Sequence, residues 1–264
     1  MTRLIQISDC HVVSAPKLVS GRLDTRLLLA GAVDRISADL EKVGPVDGVV
    51  VTGDISDDGS IDSYETFLSV MEPIGVPVFL IPGNHDKRES MFEVFGAPVQ
   101  GQSEKFQWVR RFDDMQLIGL DTVVPKSGGG AIDAVTLDFL SETLSESPEV
   151  PTLIALHHPP FNSGVGFMDA IGLRGFDELR EALGQSRAEI RLICGHLHML
   201  VAASLGQHIA ISSPATCSSF DTDYRDVAPV GFTTRPGGYM IHEWCDGFRS
   251  TCIPLVDGTG PHPF

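Results

Sequence analysis

The chain has 264 residues, 42% of them hydrophobic and 20% charged, enough for one large globular domain with a substantial core. Its formal net charge is −16 with no block of lysine or arginine, so a polymeric nucleic acid would be repelled over most of the surface. Five cysteines, at positions 10, 194, 217, 245 and 252, are odd in number and form no CxxC pair, which fits a reduced, cytoplasmic setting better than a secreted disulfide framework.

In chain order, Leu4-Ile7 reads as a strand that runs into Asp9-Cys10-His11, with no signal-peptide pattern before it. No run approaches a membrane span, so no membrane partner is expected. Thr25-Lys42 has helical spacing, with Leu27, Leu28, Val33, Ile36 and Leu40 as its expected buried stripe. The strand Gly48-Thr52 leads to Gly53-Asp54. After a helix over Ile61-Met71, the strand Val76-Ile81 ends in Gly83-Asn84-His85-Asp86. A helix (Lys87-Phe95), a strand (Met115-Leu120) and a helix (Ala134-Ser145) precede the strand Thr152-Leu156, which opens on His157-His158-Pro159-Pro160. After a helix at Phe176-Gly184, the strand Arg191-Cys194 ends in Gly195-His196-Leu197-His198. From Ile209 the character changes. Tyr239-Trp244 and Phe248-Ile253 read as antiparallel strands around Asp246-Gly247, in a register that pairs Cys245 with Phe248.

Alternation of strands with helices predicts an α/β layered fold, and strands without polar alternation predict a sheet covered on both faces. Asp9, Asp54, His85, His157 and His196 each fall just past the carboxyl end of a strand, the edge where open α/β sheets place ligands. Imidazole, carboxylate and amide donors from five segments are what a pair of metal ions requires, and a bridging carboxylate can serve both ions. In Asp-x-His and His-x-His the donors alternate, so they point the same way from an extended segment. Two divalent cations would give this acidic chain one spot that attracts a small phosphate ester.

The set DxH, GD, GNHD, HHPP and GHxH, spread from the first strand to the last motif, resembles the calcineurin-type metallophosphoesterase superfamily. The resemblance implies a four-layer α-β-β-α sandwich with its metal site at the carboxyl ends of the strands. The chain is then one domain over 1–264, with a cap or hairpin segment at about 213–264. Carried over motif by motif, it implies Asp9, His11 and His198 as ligands of one ion, Asn84, His157 and His196 of the other, and Asp54 between them. Iron, manganese and zinc are all admitted. His85 becomes the catalytic histidine, with Asp86 orienting its ring; Asn84, His85 and His158 are the expected substrate contacts.

Gly-Asp-Ile-Ser-Asp-Asp-Gly and GNHD differ from the GDxxDRG and GNHE of protein serine/threonine phosphatases. HHPP, Met168-Asp169 with Leu173-Arg174, Ser213-Pro214-Ala215-Thr216-Cys217 and the Thr233-Tyr239 stretch are similar to bacterial class III cyclic-nucleotide phosphodiesterases. Related glycerophosphodiesterases share much of this pattern. Cys10 departs from the threonine or leucine expected inside DxH and is read as a packing residue. The implied activity is hydrolysis of small phosphodiesters, 3',5'-cyclic nucleotides first, by in-line attack of a hydroxide held by two ions, with His85 assisting. Glycerophosphodiesters or phosphonate monoesters are the alternative on the same site. A non-catalytic metal-binding interaction protein is a further reading, but such proteins tend to lose ligands and here none is missing. Phe161, Asn162, Phe167, Asp169, Thr216 and Cys217 lie near the motifs as substrate contacts or loop packing, and homo-oligomerisation through the tail hairpin stays open.

Overall fold

Runs of valine, isoleucine and leucine build the inner strands of two sheets, and the residues of the second strand, Gly48 to Thr52, are buried on both faces. The computed structural model describes residues 1–97, 104–235, 237–259 and 262. Pro236 of the Thr233-Tyr239 stretch and four residues of the 213–264 segment's tail, 260, 261, 263 and 264, lie outside them.

The strands are β1 (Arg3–Ile7), β2 (Gly48–Thr52), β3 (Val78–Ile81), β4 (Trp108–Arg111), β5 (Gln116–Gly119), β6 (Gly130–Ala131), β7 (Thr152–Ala155), β8 (Leu173–Arg174), β9 (Ile190–Cys194), β10 (Val201–Leu205), β11 (His208–Ser212), β12 (Ser219–Phe220), β13 (Phe232–Thr233), β14 (Gly238–Trp244) and β15 (Phe248–Pro254). The helices are α1 (Thr25–Val43), α2 (Ile61–Met71), α3 (Arg88–Phe95), α4 (Ala134–Glu146), α5 (Gly166–Asp169) and α6 (Phe176–Gly184). One sheet runs β15-β14-β1-β2-β3 and the other β10-β11-β9-β7-β5-β4.

Two cores separate four layers. Ile36 of α1 and Phe67 of α2 pack with Ile7 and Val51 of the first sheet in a core that reaches Leu117, Leu153 and Ile193 of the second. Leu140 of α4 and Leu179 and Leu183 of α6 cover Ile118, Ile154 and Leu192 on the other side. This is the expected α-β-β-α sandwich. β1, β2 and β3 are mutually parallel, as are β5, β7, β9 and β11. Ile7 lies beside Val51, Thr52 beside Ile81, and Ala155 beside Ile193. The parallel strands therefore end at nearly one level, and the motifs that follow them start from a common edge.

The structure corrects two local expectations. In α1 the buried face is Leu29, Ala32, Val33 and Ile36, while Leu27 is 71% and Leu28 38% exposed. A run of three leucines fits more than one helical phase, and small Ala32 hides the true one. In the tail, Trp244 rather than Cys245 pairs with Phe248, so the loop is Cys245-Asp246-Gly247, with Asp246 and Gly247 at φ of 53° and 139°. A three-residue hairpin loop with left-handed positions is the next alternative to a two-residue turn. Both nearby thiols, Cys245 and Cys252, are exposed and free. The β10-β11 hairpin and the short edge strand β4 escape the sequence patterns, being neither long nor strongly periodic.

Candidate metal centre

Five side chains leave the strand ends from left-handed backbone: Asp9, His11, Asp54, His196 and His198 have φ between 46° and 70°. Such conformations turn the chain sharply and bring consecutive side chains around one point. The glycines before them allow the close approach. A Cβ on Gly53 would collide with the His157 ring, and one on Gly195 with the Ser8 hydroxyl.

The donors form two groups with Asp54 between them. His11 Nε2 lies 3.2 Å from His198 Nε2, and His198 Nε2 lies 3.5 Å from Asp9 Oδ1. Across the cluster the Asn84 amide oxygen is 3.1 Å from His157 Nε2 and 3.0 Å from His196 Nδ1. Asp54 Oδ2 stands 3.5 Å from Nε2 of both His11 and His157. Two nitrogens about 2.1 Å from one ion, at angles of about 90–110°, are about 3.0–3.4 Å apart. The His11–His198 separation fits that spacing.

The outer nitrogens fit as well. His157 Nδ1 donates to Thr52 O at 2.8 Å, His196 Nε2 to Ile171 O at 3.1 Å, and His11 Nδ1 to Asp57 Oδ1 at 3.0 Å. His198 Nδ1 is hydrogen-bonded to Ser218 Oγ at 3.2 Å. Each ring thus has one nitrogen held from behind and the other turned into the cluster, the arrangement that fixes metal-binding histidines.

Electrostatics favour positive charge here. Burial opposes protonation of His157, but Asp54 and Asp9 outweigh it and raise its pKa to about 9. Burial likewise opposes protonation of His11, which Asp57, Asp54 and Asp9 raise to about 8. Burial also opposes ionisation of Asp54, yet His157 and His11 hold its carboxyl well below the usual range. Asp9 is pushed up to about 6, chiefly by burial. His196 falls to about 3, through burial and then His157. A cluster that takes up protons on two rings and leaves the others neutral suits cations bound by lone pairs.

The seven residues expected as ligands therefore meet at one place. Other expectations need correction. Asp86 makes no hydrogen bond to the His85 ring: its carboxylate accepts from the backbone N–H groups of Ile55, Ser56 and Gly83 and from the Tyr64 hydroxyl. The group beside His85 is Asp57, whose carboxylate is 3.4 Å and whose carbonyl oxygen is 3.1 Å from His85 Nδ1. Asp57 sits three residues after Asp54 in the Gly-Asp-Ile-Ser-Asp string, and that spacing was its available signal. His158, expected to touch substrate, is fully buried, with its ring nitrogens bonded to Thr122 Oγ1 and Gly128 O. Asp169 caps its own loop through Ser163 and Gly164. Cys10 is packed into the core, as its place inside DxH predicts.

Beside the cluster opens a cavity of about 300 Å3. His11, Asp54, Asn84, His85, His196 and His198 line its floor. Val19, Leu23, Phe167, Ile171, Phe220 and Phe232 make apolar walls, with Cys217 and Ser218 beside them. Phe220 stacks on His198 at 4.5 Å, and Phe167 meets Phe220 edge-on at 5.3 Å. Phe220 and Phe232 lie on the short β12-β13 ribbon, which is too brief to show a sequence period.

Residues 2–200 match the profile of a family described as calcineurin-like phosphoesterase. A probable glycerophosphodiester phosphodiesterase, GpdQ, from Arcobacter nitrofigilis is 27% identical over 99% of this chain and 96% of its own. A 3',5'-cyclic adenosine monophosphate phosphodiesterase, CpdA, from Haemophilus influenzae is 30% identical over 96% of this chain and 90% of its own. A probable cyclic nucleotide phosphodiesterase from Synechococcus is 33% identical over 83% and 82%. Among solved structures, a dimetal phosphatase from Danio rerio superposes with a TM-score of 0.68 over 97% of both chains at 16% identity, a likeness of fold.

Proposed function

The chain belongs to the calcineurin-like phosphoesterase family and is a metal-dependent phosphodiester hydrolase, and we propose that it acts on 3',5'-cyclic nucleotides. The observation that carries this reading is the cavity wall. Phe167, Phe220 and Phe232 stand beside the cluster, and among the described residues no lysine or arginine lines the cavity. Aromatic faces pack well against a planar base. The lack of a further cation suits a ligand with a single phosphate. A cavity of about 300 Å3 is at the small end for ligand sites, which fits one compact nucleotide.

In this reading Asp9, His11 and His198 hold one ion, Asn84, His157 and His196 hold a second, and Asp54 serves both. The mixed nitrogen and oxygen donors suit iron, manganese or zinc. When bound, the ions supply charge neutralisation of the phosphate and an activated water for in-line displacement. The chain's own contribution begins with His85, whose ring lines the cavity with 41% of the side chain exposed. Its Nδ1 donates to Asp57 O, so Nε2 can donate only when the ring carries a proton on both nitrogens, a form that the Asp57 carboxylate 3.4 Å away offsets in charge. In that form Nε2 can meet a phosphoryl oxygen and hand its proton to the alkoxide as the bond from phosphorus to the leaving oxygen breaks. Asp54 Oδ1 accepts from the His85 backbone N–H at 2.9 Å and fixes the turn that carries the ring.

A second reading, glycerophosphodiester or phosphonate monoester hydrolysis, is favoured by the end-to-end similarity to a protein named for the former activity. We further treat residues 1–264 as one domain whose 213–233 portion caps the site and whose last hairpin completes the first sheet. Among the described residues no helix is long and apolar enough to cross a membrane, and a cytoplasmic location is part of the proposal. The test is turnover of 3',5'-cyclic AMP, glycerophosphoethanolamine and bis(p-nitrophenyl) phosphate after loading with Mn2+ or Fe2+, beside a chelated control. Metal-dependent cleavage of cyclic AMP at the highest kcat/KM is the expected result. A preference for the glycerol diester would replace the first reading by the second.

A further inference from the structure

Behind the cluster the two sheets are joined by a line of polar side chains. Gln6, on β1, is fully buried. Its amide nitrogen donates to Thr52 Oγ1 at 2.8 Å in its own sheet and to Cys194 O at 2.9 Å in the other. Its amide oxygen accepts from His242 Nε2 at 2.8 Å, and His242 Nδ1 is 2.8 Å from Ser250 Oγ. Ser250 Oγ also accepts from Arg191 Nη1 at 3.2 Å. Toward the site, the Thr52 hydroxyl donates to Ser8 Oγ at 2.8 Å, and Ser8 donates to Thr52 O at 3.2 Å. That same carbonyl receives the Nδ1 proton of His157.

Every direction in this line is fixed by its ends. A guanidinium only donates and a carbonyl only accepts. The Cys194 carbonyl therefore takes the Gln6 nitrogen, which turns the Gln6 oxygen to His242. Nε2 then carries the His242 proton, and Nδ1 accepts from the Ser250 hydroxyl, whose oxygen accepts from Arg191. A fully satisfied buried network of this kind specifies a single arrangement where hydrocarbon would tolerate several.

The residues it ties together are the last ones before the ligands. Thr52 precedes Gly53-Asp54, Cys194 precedes Gly195-His196, and Ser8 precedes Asp9. We propose that Gln6 is a positioning residue of the metal centre, its carboxamide setting the distance between the ends of β2 and β9 and, through Thr52, holding His157 with Nε2 turned to the ion. The inference rests on the ligand set proposed above. The hydrogen bonds of the Gln6 carboxamide go to Thr52, Cys194 and His242 and to none of those ligands, so it acts through its neighbours.

The test is calorimetric titration of the chelator-stripped full chain with Co2+, read together with the visible absorption of the bound ion. Gln6→Met keeps the side-chain length and removes the hydrogen bonds. It should fold, bind Co2+ at least tenfold more weakly with an altered absorption spectrum, and lower kcat with KM within twofold. Leu4→Ala on the same strand is the control: it lowers the melting temperature but should leave cobalt affinity and spectrum unchanged. Should Gln6→Met be insoluble, the isosteric Thr52→Val is expected to weaken Co2+ binding at least threefold. Wild-type affinity and spectrum in Gln6→Met or Thr52→Val, or equal weakening by Leu4→Ala, would overturn the proposal. If the wild-type chain takes up no cobalt, the ligand set itself falls, an outcome distinct from the other two.

Discussion

The Asp57 carboxylate stands 3.0 Å from Nδ1 of His11 and 3.4 Å from Nδ1 of His85, so one side chain steadies a ring of the cluster and the ring at the cavity. Loss of such a partner typically costs 10–100-fold in metal affinity or activity. Asp57→Ala is therefore expected to lower kcat/KM for bis(p-nitrophenyl) phosphate by about that factor while the fold persists. Activity within twofold of wild type would show that both rings hold their places unaided.

Asp86 has a structural task. Its replacement by alanine strips the acceptor from three backbone N–H groups and the Tyr64 hydroxyl at the base of the Asp54 and Asn84 turns. Hydrogen bonds to a charged group are worth about 1.5–3 kcal/mol each, and buried donors left alone cost more. Urea unfolding of Asp86→Ala should show a loss of at least about 3 kcal/mol. A loss under about 1 kcal/mol would mean that water replaces the carboxylate.

These two residues mark the limit of what the sequence discloses. The strands before the motifs are legible because each is a largely apolar run, while the seven proposed donors and the four layers are implied by the resemblance that the five motifs carry. The partner of His85 is not, since Asp57 and Asp86 both lie within three residues of a motif and only the fold of the turns decides which one faces the ring. His158 is misread for a related reason: its ring packs against those of His157 and His196, but Thr122 and Gly128, which no motif contains, take both of its nitrogens. The aromatic wall comes from a four-residue helix and a ribbon of two-residue strands, too short for a periodicity to be read.

Phe220→Ala removes the ring stacked on His198 and opens the apolar wall. Aromatic contacts of this sort are worth about 0.5–1.5 kcal/mol beyond their area. KM for a cyclic nucleotide should rise roughly two- to tenfold with kcat little changed. A KM equal to wild type would move the base elsewhere in the cavity.

His242 is fully buried, and burial followed by Arg191 lowers its pKa to about 3 from an ordinary 6.5. The folded state thus stays neutral where the unfolded chain takes a proton. Its contribution is intact above pH 6.5 and is lost as pH falls toward 3, by about 1.4 kcal/mol per pH unit. In His242→Gln the slope of stability against pH between 6 and 4 should be shallower by about that amount. Identical slopes would show that His242 gains its proton without unfolding.

Stripping the ions should abolish turnover and lower the melting temperature together. A ligand bound only by the folded state stabilises it by about 2.7 kcal/mol at one hundred times its dissociation constant. Melting curves of the chelated chain against rising Mn2+ should therefore climb with the logarithm of concentration. A flat response would mean that the donors hold their arrangement without any cation.

The left-handed backbone of Asp9, His11, Asp54, His196 and His198 runs against the intrinsic preference of L-residues, at about 1–2 kcal/mol for each. Glycine would relieve that cost at every one of the five positions and take a donor away each time. Backbone ease and ligand supply therefore pull in opposite directions at these five turns, and in each of them the chain carries the residue with a donor.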